Sequence, residues 1–249
     1  MANDPQDSPQ LPEEARQRMR QWLTSPGLRA YLDQAIDTGR RPLRTGPYIA
    51  LSREAGTGGV EIAGLVAKQL NWDMLDKQLL DFMAECYEMP RCMLEFVDET
   101  RANWLHDVLS SWLDSQVVSH EKFVVYLERI MFLAAMYGRI VFVGRGAHRV
   151  LPRPSGLAVR LVAPLEFRIA RLMSTLGVPR KTAQRQIAQI DADRRDFYQR
   201  YFRHATSDAH EFDLTINVAR LTQVSAAELI VEAFERVDRE NSTPVSDST

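Results

Sequence analysis

The chain has 249 residues, a formal net charge of −2 and 45% hydrophobic residues. These values are typical of a globular protein with one large or two small domains, and they give no overall electrostatic argument for binding nucleic acid or an acidic membrane surface. No apolar run approaches the ~18 residues that cross a bilayer, and the polar N-terminus is unlike a signal peptide. We therefore expect a cytoplasmic protein without membrane or nucleic-acid partners, and no His, Cys or Asp spacing predicts a metal site.

Residues 1–45 precede the first predicted strand. Residues 1–10 are rich in Pro, Asp and Ser and are expected to be disordered. Two amphipathic helices are predicted at 11–24 and 28–38, and a basic loop at 39–46 follows them. This part is predicted to be an N-terminal helical extension.

The stretch 48–70 predicts a strand, a glycine-rich loop and a helix. The loop contains Gly56, Gly58 and Gly59, and apolar residues recur at helical spacing from Ile62 onward. Glycines let backbone N–H groups point inward, and a helix N-terminus adds partial positive charge, so this layout can cradle a phosphate. It is equally compatible with an ordinary turn between a strand and a helix.

The loop departs from the usual P-loop pattern, G-x-x-x-x-G-K-[ST]. Aligning the glycines places Arg53 at the first Gly, Gly58 at the second and Gly59 at the Lys. The position of the magnesium-binding hydroxyl falls on Val60, or on Glu61 if the frame shifts by one. The loop therefore lacks its usual point charge, and Arg53 is a candidate to replace it.

Helices and strands alternate along the rest of the chain. A short strand is predicted at 72–75, with Asp76 as the N-cap of a helix at 77–87. Further helices at 104–113 and 120–137 make 77–137 a helical insertion. The remaining predicted strands are 138–143, 156–163 and 211–217, and the remaining predicted helices are 167–176, 180–203 and 224–239.

This order predicts an α/β fold with a parallel five-stranded sheet and flanking helices. Ligands of such sheets bind outside the carboxyl ends of the strands. Polar residues stand at several of these predicted ends, namely Ser52, Arg53, Asp76, Arg145 and Asn217.

A basic region follows the fourth predicted strand. Residues 160–203 hold ten Arg or Lys against four acids. Arg168 and Arg171 are three residues apart and so share a helix face, and Arg194 lies in an acidic and basic cluster at 191–196. Such cations suit phosphoryl transfer, because they neutralise charge on the moving group. The alternative is a solvated helical face held by ion pairs.

Several segments, in order, resemble the cytidylate kinase-like family of bacterial proteins. The segments that carry the resemblance are 52–59, Asp76 with Lys77, 143–148, 162–168, Asp191 with Arg194, and 213–217. The resemblance covers about 47–235 and implies a P-loop NTPase-type kinase domain at 46–239, followed by a disordered tail at 240–249. Within that domain it implies an acceptor-binding insertion at 77–137 and lid-like helices at 165–204.

The resemblance also implies ATP and Mg²⁺ as cofactors, a nucleoside monophosphate such as CMP or dCMP as acceptor, and a role for each matching residue. The phosphate loop is expected to comprise Gly56, Thr57, Gly58 and Gly59, with Arg53 beside it. The residues expected at the acceptor are Asp76 and Arg145. The catalytic residues expected to stabilise the moving group are Arg168, Arg171 and Arg194.

Two departures from true cytidylate kinases leave the activity open. Those enzymes carry Gly-Lys in the loop and Asp after the Gly-Arg, where this chain has Gly59 and Gly146. Loss of one such charge-stabilising donor costs on the order of 3–4 kcal/mol in the transition state. Three hypotheses therefore stand: an ATP-dependent phosphotransferase, a non-catalytic nucleotide-binding regulatory module that has lost the P-loop lysine, and an α/β scaffold without a ligand. A homo-oligomer is compatible with any of them.

Overall fold

A computed structural model describes residues 45–81, 119–202 and 208–242, together with Gln17. The predicted helices at 11–24, 28–38 and 104–113 lie outside the described residues apart from Gln17, which is helical. The arginines of the predicted basic loop also lie outside them.

The chain divides into two compact units. One comprises 42–77 and 131–249, and the other comprises 1–41 and 78–130. The predicted N-terminal extension and most of the predicted insertion therefore group in one unit, whereas the sequence predicts them as separate parts.

The larger unit contains a sheet of five parallel strands. These are β1 (Tyr48–Arg53), β2 (Asp73–Leu75), β3 (Ile140–Val143), β4 (Gly156–Val162) and β5 (Leu214–Asn217). Their order is β2-β3-β1-β4-β5. The predicted α/β fold with a parallel five-stranded sheet is confirmed.

The central strand β1 is apolar because both of its faces are buried. Ile49 and Leu51 belong to the core on one side, while Tyr48 packs edge-on against Phe142, at 6.1 Å between ring centroids. Leu51 is aligned with a residue of β3 and a residue of β4. The carboxyl ends of these three strands therefore meet at one edge of the sheet.

Helices flank the sheet. They are α1 (Gly59–Leu70), α2 (Ser119–Tyr137), α3 (Ala147–Val150), α4 (Leu165–Leu176), α5 (Arg180–Phe202) and α6 (Gln223–Ser242). Ile62 and Val66 of α1 and Ile230 and Phe234 of α6 share one core with the strands. These two helices therefore cover the same face of the sheet, directly behind the glycine loop that starts α1.

Two predicted strands begin later than the sequence indicates. Gly138 and Arg139 have left-handed backbone, with φ of 75° and 58°, so β3 starts only at Ile140. Glu211 ends a 3-10 turn, Ala209–Glu211, and β5 starts at Leu214. In both cases a tight turn takes residues that directly precede an apolar run and that the sequence pattern assigns to the strand.

Two helix ends also differ from the prediction. Pro164 is the N-cap of α4 and lies outside its first turn, so the helix begins at Leu165. The last helix continues to Ser242, which corrects the predicted start of a disordered tail at 240. Near this end, the side-chain amide of Asn241 donates to the carbonyl of Pro154 at 2.9 Å and holds the last turn. Among the described residues, no helix has the length and apolar character to span a membrane.

Candidate functional site

The glycine loop joins β1 to α1 by a tight, left-handed path. Gly56 and Gly58 have φ of 81° and 77°, which only glycine adopts at little cost. The hydroxyl of Thr57 is buried and donates to the carbonyl of Glu54 at 2.9 Å. Within the described residues, no group accepts a hydrogen bond from the backbone amides of 56–61. These consecutive donors are therefore available to an anion.

Two helices hold the loop from outside. Ala55 is buried in a small core with Ile169 of α4 and with Ala183 and Ile187 of α5. Asp191 of α5 accepts a hydrogen bond from the amide of Ala55 at 2.9 Å. The loop conformation thus depends on helices more than a hundred residues away in the sequence.

The first two predicted catalytic arginines both reach the loop. Arg168 Nη1 donates to Asp191 Oδ2 at 2.6 Å, and its Nε lies 3.6 Å from a carboxylate oxygen of Glu54. Arg171 pairs with Glu61 at 3.1 Å, and its guanidinium lies against Gly58. Both side chains are turned toward the loop, and their part in catalysis stays a prediction.

Arg194, the third predicted catalytic residue, lies beside Arg53. Its Nη1 donates to the backbone carbonyl of Arg53 at 2.8 Å. Burial, reinforced by the positive charge of Arg194, lowers the pKa of Arg53 to about 10. Burial also lowers the pKa of Arg194, partly offset by the carboxylate of Asp191. The protein therefore places two partly desolvated cations together at the end of β1.

The two predicted acceptor residues follow the neighbouring strands. Asp76 comes directly after β2, is 8% exposed, and its charge partly offsets the fall in the pKa of Arg53. Arg145 follows β3 with a left-handed φ of 53° and places its guanidinium 4.3 Å from the ring centroid of Phe197. Both residues lie near Arg53, as the strand order requires.

A cavity of about 600 Å³ opens at this edge of the sheet. Its charged lining residues are Arg53, Lys77, Arg145, Arg194, Arg200, Asp193 and Asp196. Its other lining residues include Ser52, Ile190, Phe197, Tyr198 and Tyr201. The cationic side chains outnumber the carboxylates, and aromatic rings form one wall.

A second cavity of about 350 Å³ is lined by Glu54, Arg168 and Asp191 but by none of residues 55–61 of the loop. Arg53 and Arg194 line both cavities, whereas Arg168 and Asp191 line only the second. The two arginines therefore border both this smaller cavity, beside Glu54 and Arg168, and the larger cavity beside Arg145.

Sequence reasoning missed the aromatic wall and the central role of Asp191. Phe197, Tyr198 and Tyr201 lie on one part of a helix that is otherwise polar, and this contrast was the available signal. Burial raises the pKa of Tyr198, which packs inward beside Ser52 and Arg53. Asp191 is flanked by other acidic residues, so its sequence context alone did not distinguish it.

Comparisons with known proteins show the family and the fold of the chain. The family model described as the cytidylate kinase-like family matches residues 48–220. An uncharacterized protein from Eubacterium ventriosum ATCC 27560 is similar in structure, with 22% sequence identity and a TM-score of 0.59 over 76% of this chain and 98% of that chain. A comparison with curated proteins finds no match.

Two further solved structures are more distant. A shikimate kinase from Bacteroides thetaiotaomicron has 15% identity and a TM-score of 0.42 over 76% of this chain and 98% of that one. A dephospho-CoA kinase from Campylobacter jejuni has 12% identity and a TM-score of 0.36 over 77% of this chain and 97% of that one. These two are too distant to bear on function. The family match, by contrast, spans well over half of the sequence, and the chain belongs to the cytidylate kinase-like family.

Proposed function

We propose that this protein is an ATP-dependent phosphotransferase that moves a phosphoryl group to CMP, dCMP or a similar small phosphorylated acceptor. The observation that carries the proposal is the position of Arg53 and Arg194, which line both the smaller cavity beside Glu54 and Arg168 and the larger cavity beside Arg145. A phosphoryl group moving between two bound molecules needs cations at their boundary.

The loop fits the phosphate chain of a nucleoside triphosphate. Its amides at 56–61 have no acceptor in the part of the chain that the structure describes, and they lie at the N-terminus of α1, where the helix dipole favours negative charge. Arg171, against Gly58, is placed to add a guanidinium to the same phosphates. ATP would bind there as the phosphoryl donor.

The larger cavity fits the acceptor. Its volume of about 600 Å³ lies within the usual range of roughly 300–1,000 Å³ for small-molecule sites. Arg145 would bind the acceptor phosphate, and the aromatic wall suits a flat, partly apolar base. Asp76 stands at the start of this acceptor region, next to Lys77.

The chemistry requires no side-chain nucleophile. Phosphoryl transfer proceeds mainly by positioning and by neutralising charge, so these arginines are the groups that would lower the barrier. Arg168 is bound to Asp191 and Glu54. To act in catalysis, its guanidinium would therefore release one of these carboxylates and bind a phosphate oxygen instead.

The loop does not fit Mg²⁺ in the usual way. Val60, at the usual hydroxyl position, has no side-chain oxygen and is 42% exposed, and Thr57 uses its hydroxyl within the loop. Within the described residues no cluster of three or more His, Cys, Asp or Glu could hold a metal ion. Magnesium commonly binds through phosphates and water with one or two carboxylates, and we assign it no step here.

The direct test is turnover. Purified protein with MgATP and a panel of nucleoside monophosphates should release ADP, with CMP or dCMP preferred. Arg145→Ala should raise KM for the acceptor, whereas Arg171→Ala should mainly lower kcat. If no monophosphate is phosphorylated while ATP binding is measurable by calorimetry, the phosphotransferase proposal is wrong.

A second candidate is a non-catalytic nucleotide sensor. The observation that favours it is the pair Gly59 and Val60, which removes both the lysine and the hydroxyl of the usual loop. Such a module would bind ATP and a monophosphate with measurable affinity and release no ADP. The same calorimetric and turnover experiments therefore separate the two candidates.

A further inference from the structure

The side chain of Arg53 passes directly over Gly59. A Cβ atom built on Gly59 would lie 2.8 Å from Arg53 Cγ and 2.9 Å from Arg53 Cβ. Real Cβ atoms essentially never approach so closely, and the atoms concerned are the first carbons of the side chain, which cannot swing away. Any larger residue at position 59 therefore requires Arg53 to move.

The far end of the same side chain reaches a second glycine. A Cβ on Gly144, at the end of β3, would overlap Arg53 Nη1, and Gly144 has a φ of 87°. Arg53 thus lies in a channel between two glycines, one in the loop and one at the neighbouring strand end. This channel fixes the direction in which the guanidinium points.

The guanidinium is placed as a ligand-binding group. Its buried Nε has no hydrogen-bond partner among the described residues. Burial and the nearby charges of Arg194 and Arg145 disfavour the cation there, with only Asp76 and Tyr198 acting in the opposite direction. Burying this cation among other positive charges costs free energy. Because Arg53 also lines two cavities, an anion that binds in one of them would explain why the cation is there.

We propose that Arg53 and Gly59 are an exchanged pair: Arg53 supplies, from the end of β1, the phosphate-binding cation that a usual P-loop takes from the lysine at the position of Gly59. The usual loop has Gly at the position of Arg53 and Lys at the position of Gly59. The usual loop and the loop of this chain each have room for one cationic side chain. In the usual loop that side chain is at the second of the two positions, and in this chain it is at the first, Arg53. The inference rests on the proposed binding of a nucleotide phosphate by this loop.

A reciprocal exchange tests the proposal. The four proteins are the wild type, Arg53→Gly, Gly59→Lys and the double variant with both changes, which restores the spacing G-x-x-x-x-G-K. The measurement is calorimetric affinity for the β,γ-imido analogue of ATP and for adenosine. Arg53→Gln, which keeps the first carbons of the side chain, supports the result if the glycine variant folds poorly. Arg236→Gln, a surface change of the same charge, is the matched control.

We expect Arg53→Gly and Arg53→Gln to weaken binding of the ATP analogue roughly tenfold to a hundredfold, the loss of one charge-assisted contact, while adenosine binding is unchanged. Gly59→Lys should weaken it as well, because the lysine collides with Arg53. The affinity of the double variant for the ATP analogue should be within about threefold of the wild-type affinity. The double variant again has one cationic side chain, and the glycine at position 53 leaves room for it.

Two results would overturn the inference while the proposed function stands. One is wild-type affinity in both Arg53 variants. The other is a double variant whose loss equals the product of the two single losses, which would show that positions 53 and 59 act independently. A wild-type protein that binds no ATP analogue would overturn the proposed function, and the inference with it.

Discussion

The carboxylate of Asp191 accepts a hydrogen bond from the backbone amide of Ala55 at 2.9 Å, across 136 residues of sequence. Its other oxygen accepts a hydrogen bond from Arg168 at 2.6 Å. One side chain of α5 therefore fixes both the start of the glycine loop and an arginine of α4. The loop and the two helices should respond together when this carboxylate is changed.

Asp191→Asn should lower the free energy of unfolding by about 2 kcal/mol, because a charge-assisted pair with Arg168 becomes a neutral contact. Urea denaturation measures this difference. Asp193→Asn is the matched control on the same helix, since Asp193 is exposed and should change stability by no more than about 0.5 kcal/mol. Equal effects of the two changes would contradict a special role for Asp191.

Two glycines that are close in sequence should respond in opposite ways to alanine. Gly56→Ala should destabilise the protein by about 1–3 kcal/mol, because φ is 81° and the new Cβ would lie 2.8 Å from the backbone oxygen of Arg168. Gly64→Ala should stabilise it by about 0.5–1 kcal/mol, because Gly64 lies within α1 and a Cβ there meets nothing within 4 Å. Thermal denaturation measures both changes, and a Gly56→Ala protein as stable as the wild type would contradict the tight packing at Gly56.

His148 should make the protein less stable in mild acid. Burial lowers its pKa to about 4 from 6.5, and the upward pull of Glu211, 3.5 Å away, does not outweigh it because Arg149 also binds that carboxylate. The folded-state pKa lies below the unfolded one, so the unfolded chain takes up the proton first as the pH falls. The contribution of His148 to the free energy of unfolding is therefore full above about pH 6.5. It falls by about 3 kcal/mol in all as the pH is lowered to about 4.

The measurement is the free energy of unfolding between pH 7 and pH 4. His148→Phe keeps the packing against Phe212 and should flatten this part of the profile. His210→Gln, a change at an exposed histidine, is the control and should leave the profile as in the wild type. A profile that is equally steep in His148→Phe would assign the acid sensitivity to other groups.

Phe197 should matter to the acceptor through Arg145. The guanidinium of Arg145 lies 4.3 Å from the ring centroid, a contact worth about 0.5–2 kcal/mol. Phe197→Leu should therefore weaken CMP binding by a factor of about 3 to 30 and leave the ATP analogue unaffected. Phe197→Tyr keeps the ring and should bind CMP normally. Calorimetry measures both affinities. If the ring of Phe197 were purely structural, Phe197→Leu would weaken the binding of CMP and of the ATP analogue to the same extent.

The sheet could be predicted from the sequence because most of its strands are short apolar runs that alternate with helical segments. The edge at which Arg53, Asp76 and Arg145 meet followed from the rule for parallel sheets, whereas the order of the strands was not predicted. The starts of β3 and β5 were misplaced because local turns at Arg139 and Glu211 end just before the apolar runs begin.

Side-chain pairing could not be predicted in the same way. The contact between Asp191 and Ala55 joins positions far apart in the chain, and no local pattern marks it. The path of Arg53 over Gly59 depends on where the strand end points in three dimensions. Sequence reasoning therefore named several residues that the structure brings together at this edge of the sheet, but it did not show how their side chains contact one another.

The grouping of Arg53, Arg145 and Arg194 has a practical consequence for handling the protein. Like charges in a partly dry space repel one another, so without a ligand the protein should gain stability from any small divalent oxyanion that reaches them. Sulfate or inorganic phosphate in a purification buffer would compete with nucleotides for this place. Affinities measured in such buffers would understate true binding, and a chloride or acetate buffer is the better choice.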